Sequence, residues 1–130
     1  MTPIKQTITV ELNAYARNET RPFDIDATVI GDIAVHKPVH WFTKDGDPSQ
    51  GKGWTVSHLP SGKIVASAVP QRLQSRGTIK ASQKDLIAFA TAWQKQCPAF
   101  FDALRNAGKD GLANIPKDMT RAALDVARAL

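Results

Sequence analysis

The chain has 130 residues, one cysteine and a formal charge of +5, which suits one domain burying roughly two-thirds of its unfolded surface without metal or disulfide support. A single thiol forms no internal bridge, no charged leader with an apolar core precedes Ile4, and no apolar run approaches the roughly 20 residues of a membrane helix; a reducing compartment such as the cytoplasm, away from the membrane, is expected. The charge is uneven: six Lys/Arg face seven Asp/Glu up to Leu59, whereas eleven face five from Pro60 onward, so the second half is the one that favours an acidic partner.

The first half alternates. Ile4, Ile8, Val10 and Leu12 share a parity with Gln6, opposite Lys5, Thr7, Thr9 and Glu11, the pattern of a half-buried strand. Further on, Phe23, Ile25, Ala27, Val29, Ile33 and Val35 keep one parity through Gly31, against Asp24, Asp26, Thr28, Asp32 and His36. A Gly31-Asp32 hairpin and one long strand are both compatible with this; the unbroken parity favours the long strand, with Gly31 as a bend or bulge. Val39, Trp41 and Phe42 then lead into Lys44 to Gly53, ten residues of exposed-loop chemistry with three glycines and a proline. Two apolar runs, Trp54 to Leu59 and Lys63 to Val69, flank Pro60-Ser61-Gly62, which predicts a β-hairpin with positive φ at the glycine.

From Val69 to Lys84 the chain carries four cations, Arg72, Arg76, Lys80 and Lys84, and no acid. Ser82, with Asp85 three residues later, marks a helix start. Leu86, Ala90, Trp93, Cys97, Phe100 or Phe101, and Leu104 follow at steps of three and four, one face of a helix laid on the sheet. Pro98 has no amide to continue the ladder, so this segment kinks or splits there, and Gly108 suits its end. After Pro116 a last helix sets Met119, Ala122, Ala123, Val126 and Leu130 against Lys117, Asp118, Arg121, Asp125 and Arg128.

Strands precede helices. This order predicts an α+β fold: an antiparallel sheet of about four strands, then two or three helices packed on one face. A single domain is expected, strand-rich over 1–69 and helical over 82–130. Its core should hold Ile8, Val10, Phe23, Ile25, Val56, Leu86, Trp93, Phe100 and Leu104 together.

The string Trp54-Thr55-Val56-Ser57-His58-Leu59-Pro60-Ser61-Gly62-Lys63 resembles the Trp-x-Val-Thr-His-x-Pro-Thr-Gly strings of small orphan proteins of phages and plasmids, with Ser57 and Ser61 where threonine is usual. The resemblance covers ten residues and brings no known chemistry. It implies an origin on a mobile element.

No convergent acid, base and nucleophile emerges. His36 and His40 are about 13 Å apart if both lie on one extended strand, too far to share a metal, and His58 sits on a different hairpin. Ser57 and His58 point to opposite faces of a strand. Asp24, Asp26 and Asp32 read as a solvated strand face, Cys97 as a small core residue, and Gly51-Lys52-Gly53 lacks the spacing of a phosphate loop. No catalytic residue, metal or cofactor is expected. Two features suit a binding surface. Lys44 and Lys52 lie near Trp41, Phe42 and Trp54, cations beside aromatic faces as in single-strand binders; Arg72, Arg76, Lys80 and Lys84, aided by Lys63, form a basic flank able to neutralise phosphates. The expected function is non-catalytic binding of nucleic acid or a nucleoprotein complex by a mobile-element accessory factor; the alternative is an anti-CRISPR-like inhibitor or adaptor docking on a protein, with oligomeric state open.

Overall fold

A computed structural model describes residues 1–13, 20–40 and 49–130. The predicted α+β class holds. Five antiparallel strands form the main sheet in the order β1-β2-β3-β6-β7: β1 (Ile4–Asn13), β2 (Thr20–Ile30), β3 (Ile33–His36), β6 (Thr55–His58) and β7 (Lys63–Ile64). Two small ribbons accompany it, β4 (Val39–His40) with β5 (Ser49–Gln50) and β8 (Gln74–Ser75) with β9 (Thr78–Ile79). Part of the expected loop before Gly53 is therefore strand. Three helices follow, α1 (Gln83–Gln96), α2 (Pro98–Ala107) and α3 (Lys117–Ala129).

The long strand expected through Gly31 is two strands. Gly31, at φ +59°, and Asp32 form a tight turn, and β3 folds back on β2 with Ile30 opposite Ile33. A closing two-residue turn places residues three apart on the same face, so it exchanges odd for even parity. Phe23, Ile25, Ala27 and Val29 thus face one side with Ala34, while Ile30, Ile33 and Val35 face the other. What read as continuous parity is a switch of faces.

The expected single core divides accordingly. Ile30, Ile33, Val35 and Val56 pack beneath Leu86, Phe89, Trp93, Phe100, Phe101 and Leu104 of α1 and α2, while Ile8, Ile25, Ala27, Val29 and Ala34 make a second cluster across the sheet, with Val10 and Phe23 only half-buried at its margin. Trp93 is the centre of the helical side. Its ring meets Phe101 edge-on at 4.8 Å between centroids and stacks on Phe89 at 5.6 Å, and its indole N–H donates to the carbonyl of Ala123 at 3.0 Å, fixing α3 against α1. The α3 face is the expected one but for a single residue: Ala123 and Ala127 are buried and Met119, Val126 and Leu130 pack against the core, whereas Ala122 is exposed.

Local chemistry explains the boundaries. The Ser82 hydroxyl accepts from the Asp85 amide at 3.1 Å to start α1. Pro98 sits at the first position of α2, where a missing amide costs nothing, so the helix splits at Cys97. In the β6–β7 hairpin Gly62 takes φ +70° and its amide donates to the His58 carbonyl at 2.9 Å. After Ile64 the strand gives way to the 3₁₀ turn Ala66–Ala68, so β7 is shorter than the run to Val69 suggested.

Candidate functional site

The basic junction is folded. The turn Gln71–Leu73 enters the β8–β9 ribbon, whose legs pair Gln74 with Ile79 and Ser75 with Thr78. Arg76 and Gly77 form the two-residue tip, both left-handed at φ 52° and 77°. Such a tip matches the twist of the strands it joins, but it usually holds Asn or Gly, since a Cβ is strained there. Below it the Lys80 amide donates to the Leu73 carbonyl at 2.8 Å, so Arg72 and Lys80 flank the base on opposite legs. Arg72, Arg76 and Lys80 are all exposed, and none pairs with an Asp or Glu side chain among the described residues.

Two clips tie this ribbon to α3. Arg72 Nε donates to the main-chain oxygen of Leu130, the last residue of the sequence, at 2.7 Å, and Arg128 Nε donates to the carbonyl of Ser67 at 3.3 Å. Each uses one nitrogen of the guanidinium and leaves the terminal pair, the fork that grips a phosphate, unused among the described residues. Arg128 thereby joins the basic surface. Sequence spacing put it on a solvated helix face, and only the docking of α3 shows its place.

The other candidates lie elsewhere. Lys84 is exposed in the first turn of α1, four residues beyond Lys80. Lys63 is on the outer strand β7, its stem beside Gly111, and with Lys109 it rims a groove that also touches Ile8 and Val10 of β1. Lys52 is exposed just beyond β5. Lys44, Trp41 and Phe42 lie outside the described residues. Trp54 is half-buried against the helical core, and the cation over its ring is Lys37, with Nζ 6.0 Å from the centroid.

Two buried histidines make contacts that the sequence did not reveal. His36 Nδ1 donates to the Lys37 carbonyl at 2.7 Å, which leaves Nε2 to accept from the Ser57 hydroxyl at 2.8 Å. The pair is diagonal across β3 and β6, so it became visible only with the register. It has the outline of a serine–histidine dyad, but both side chains are buried and β6 is paired on both flanks, so no pair of free amides faces the hydroxyl to hold an oxyanion. It is a structural hydrogen bond. On the opposite face the Ser61 amide and hydroxyl both approach His58 Nδ1, at 3.3 and 2.8 Å. The proton is then on Nε2, which is buried without a partner among the described residues, beside the Phe101 ring.

Burial and pairing set the other titratable groups among the described residues. Burial lowers the pKa of His36 against the opposing effect of the Lys37 carbonyl; burial also lowers that of His58, with Asp32 opposing and Arg105 assisting. Burial raises the Cys97 thiol and keeps it protonated. Of the three aspartates expected on one strand face, Asp24 and Asp26 share it, exposed on β2 and accepting from Thr9 and Thr7, whereas Asp32 lies in the turn and pairs with Arg105 at 2.7 Å. Among the described residues no three His, Cys, Asp or Glu converge on a metal-sized site, and no helix is long and apolar enough to cross a membrane. No protein-family model, curated protein or solved structure matches the chain.

Proposed function

We propose that this protein is a non-catalytic binding factor of the kind carried by phages and plasmids, acting in the cytoplasm on nucleic acid or a nucleoprotein complex. The observation that carries the reading is the β8–β9 ribbon: Arg76 at its tip and Arg72 and Lys80 flanking its base are exposed and have no Asp or Glu partner among the described residues. Cations gathered around a short ribbon with no acidic side chain beside them suit phosphate contact, and guanidinium forks suit it better than ammonium groups do. Arg128 extends the same surface on α3. Phosphate contact of this kind supplies affinity with little sequence preference.

Fluorescence anisotropy with labelled single- and double-stranded oligonucleotides at low salt tests this. Binding that weakens steeply with added salt supports the proposal. Absence of any shift at low salt, where electrostatic binding is strongest, removes the nucleic-acid reading and leaves the protein-docking inhibitor in its place.

A further inference from the structure

A second surface lies on the side of α3 that meets the segment Gly108–Asn114. There β7, α2 and α3 enclose an apolar slot of about 120 Å³, walled by Val65, Phe100, Leu104 and Leu124. Ile64 and Leu112 border it, 68% and 50% exposed, large apolar side chains left in water. The slot adjoins a groove of about 570 Å³ along α3, and Leu112, Thr120 and Leu124 belong to both. The groove is charged at its rim. Lys117, Arg121 and Arg128 follow one helix face with a single acid, Asp125, and Lys63 stands on the other side of the slot.

Size and charge together select the occupant. A closed apolar cavity of about 150 Å³ takes a benzene ring, so the slot has room for one aliphatic or small aromatic side chain and is well below the roughly 300 Å³ at which small-molecule pockets begin. Four cations against one carboxylate around an apolar floor complement a chain that is acidic and carries an isolated apolar residue. Nucleic acid supplies the negative charge but no aliphatic anchor, and the aromatic walls, Trp93 and Phe100, are 1% and 4% exposed and present no face for base stacking. We infer that the slot and groove form a docking site for an acidic peptide segment of a partner protein, with one apolar side chain in the slot and carboxylates along Lys117, Arg121 and Arg128. This site shares Arg128 with the surface around the β8–β9 ribbon and is otherwise distinct from it, and it stands whether or not the ribbon binds nucleic acid.

The probe is a fluorescein-labelled peptide carrying one leucine between two runs of glutamate, titrated by fluorescence polarisation at low salt. Burial of a leucine contributes about 1.5–3 kcal/mol, so exchanging it for alanine in the peptide should weaken binding about tenfold or more. The double change Lys117→Glu and Arg121→Glu, at exposed positions, should do the same, and Leu112→Arg at the slot should remove the advantage of leucine over alanine. Replacing Arg72, Arg76 and Lys80 with glutamine should leave peptide affinity unchanged. Failure of the peptide to bind, or equal affinity for its alanine form, overturns the inference. So does loss of oligonucleotide binding in the Lys117→Glu/Arg121→Glu protein, which assigns the groove to nucleic acid, or concentration-dependent dimerisation abolished by the same changes, which assigns it to a second copy.

Discussion

Gln94 of α1 closes the polar groups of the β2–β3 turn with its single side-chain amide, accepting from the Asp32 N–H at 3.0 Å and donating to the Ile30 carbonyl at 2.7 Å. The turn and the helix therefore specify each other. A Cβ on Gly31 would clash with Gln94 Oε1, so glycine is required both for its positive φ and for the approach of the amide. Gln94→Ala should cost about 2–4 kcal/mol, since two partly buried backbone groups lose their partner at roughly 1–3 kcal/mol each and water recovers some of it. Gly31→Ala should cost a comparable amount. Urea unfolding of both variants measures this; a loss under 1 kcal/mol for Gln94→Ala would show that the turn does not depend on the helix.

That relationship also shows what the sequence can and cannot carry. The class and order of elements were legible because Ile4 to Leu12 alternates, Ser82 caps, Pro98 interrupts and Gly62 turns, all of them local effects. The face exchanged at Gly31 was not, because the decisive partner, Gln94, is remote in the chain and reads there as one more polar helix residue. The same holds for the candidate site. Arg72, Arg76 and Lys80 were legible as a charge run, but the ribbon that gathers them rests on a left-handed Arg76, a conformation no propensity assigns to arginine. Ser57 with His36, and Arg128 beside Ser67, depend on register and helix docking.

Acid should weaken the fold. His36 and His58 have pKa values lowered by burial, so below the ordinary value of about 6.5 the unfolded chain takes up protons that the folded chain does not. Their contribution is fully present above that pH and is lost as pH falls through it toward the lowered folded values. The urea midpoint should therefore drop as pH falls below about 6.5, and His36→Gln should flatten part of the drop. An unchanged midpoint across that window would contradict the buried, neutral assignment. Ser57→Ala, which leaves His36 Nε2 without its donor, should cost about 1–3 kcal/mol at neutral pH, and a serine-directed fluorophosphonate should leave the wild-type protein unlabelled.

Trp93 joins both helical layers and should dominate the stability of that side. Its truncation to alanine should cost about 3–5 kcal/mol. The informative variant is Trp93→Phe, which keeps most of the ring packing but loses the hydrogen bond to the Ala123 carbonyl. Amide exchange should then quicken in α3 more than in the sheet; uniform quickening would show that the indole N–H does not hold α3 in particular.

Arg76 sets stability against binding. A left-handed non-glycine residue costs roughly 1–2 kcal/mol, and asparagine tolerates that conformation better, so Arg76→Asn should stabilise the protein by about 0.5–1 kcal/mol while removing a charge from the ribbon tip. If the ribbon contacts phosphates, the more stable variant is the weaker binder, an outcome that no generalised loss of fold can produce. The triple change of Arg72, Arg76 and Lys80 to glutamine extends the test. It should leave the far-ultraviolet spectrum intact, weaken oligonucleotide binding, and flatten the slope of log affinity against log salt by roughly one to three units, because each lost phosphate contact removes about 0.7 to 0.9. An unchanged slope in a folded triple variant would place the contacts elsewhere. Lys84, at the start of α1, and Arg128 are the next cations to exchange, and their effects should add to the slope if one continuous surface meets the nucleic acid.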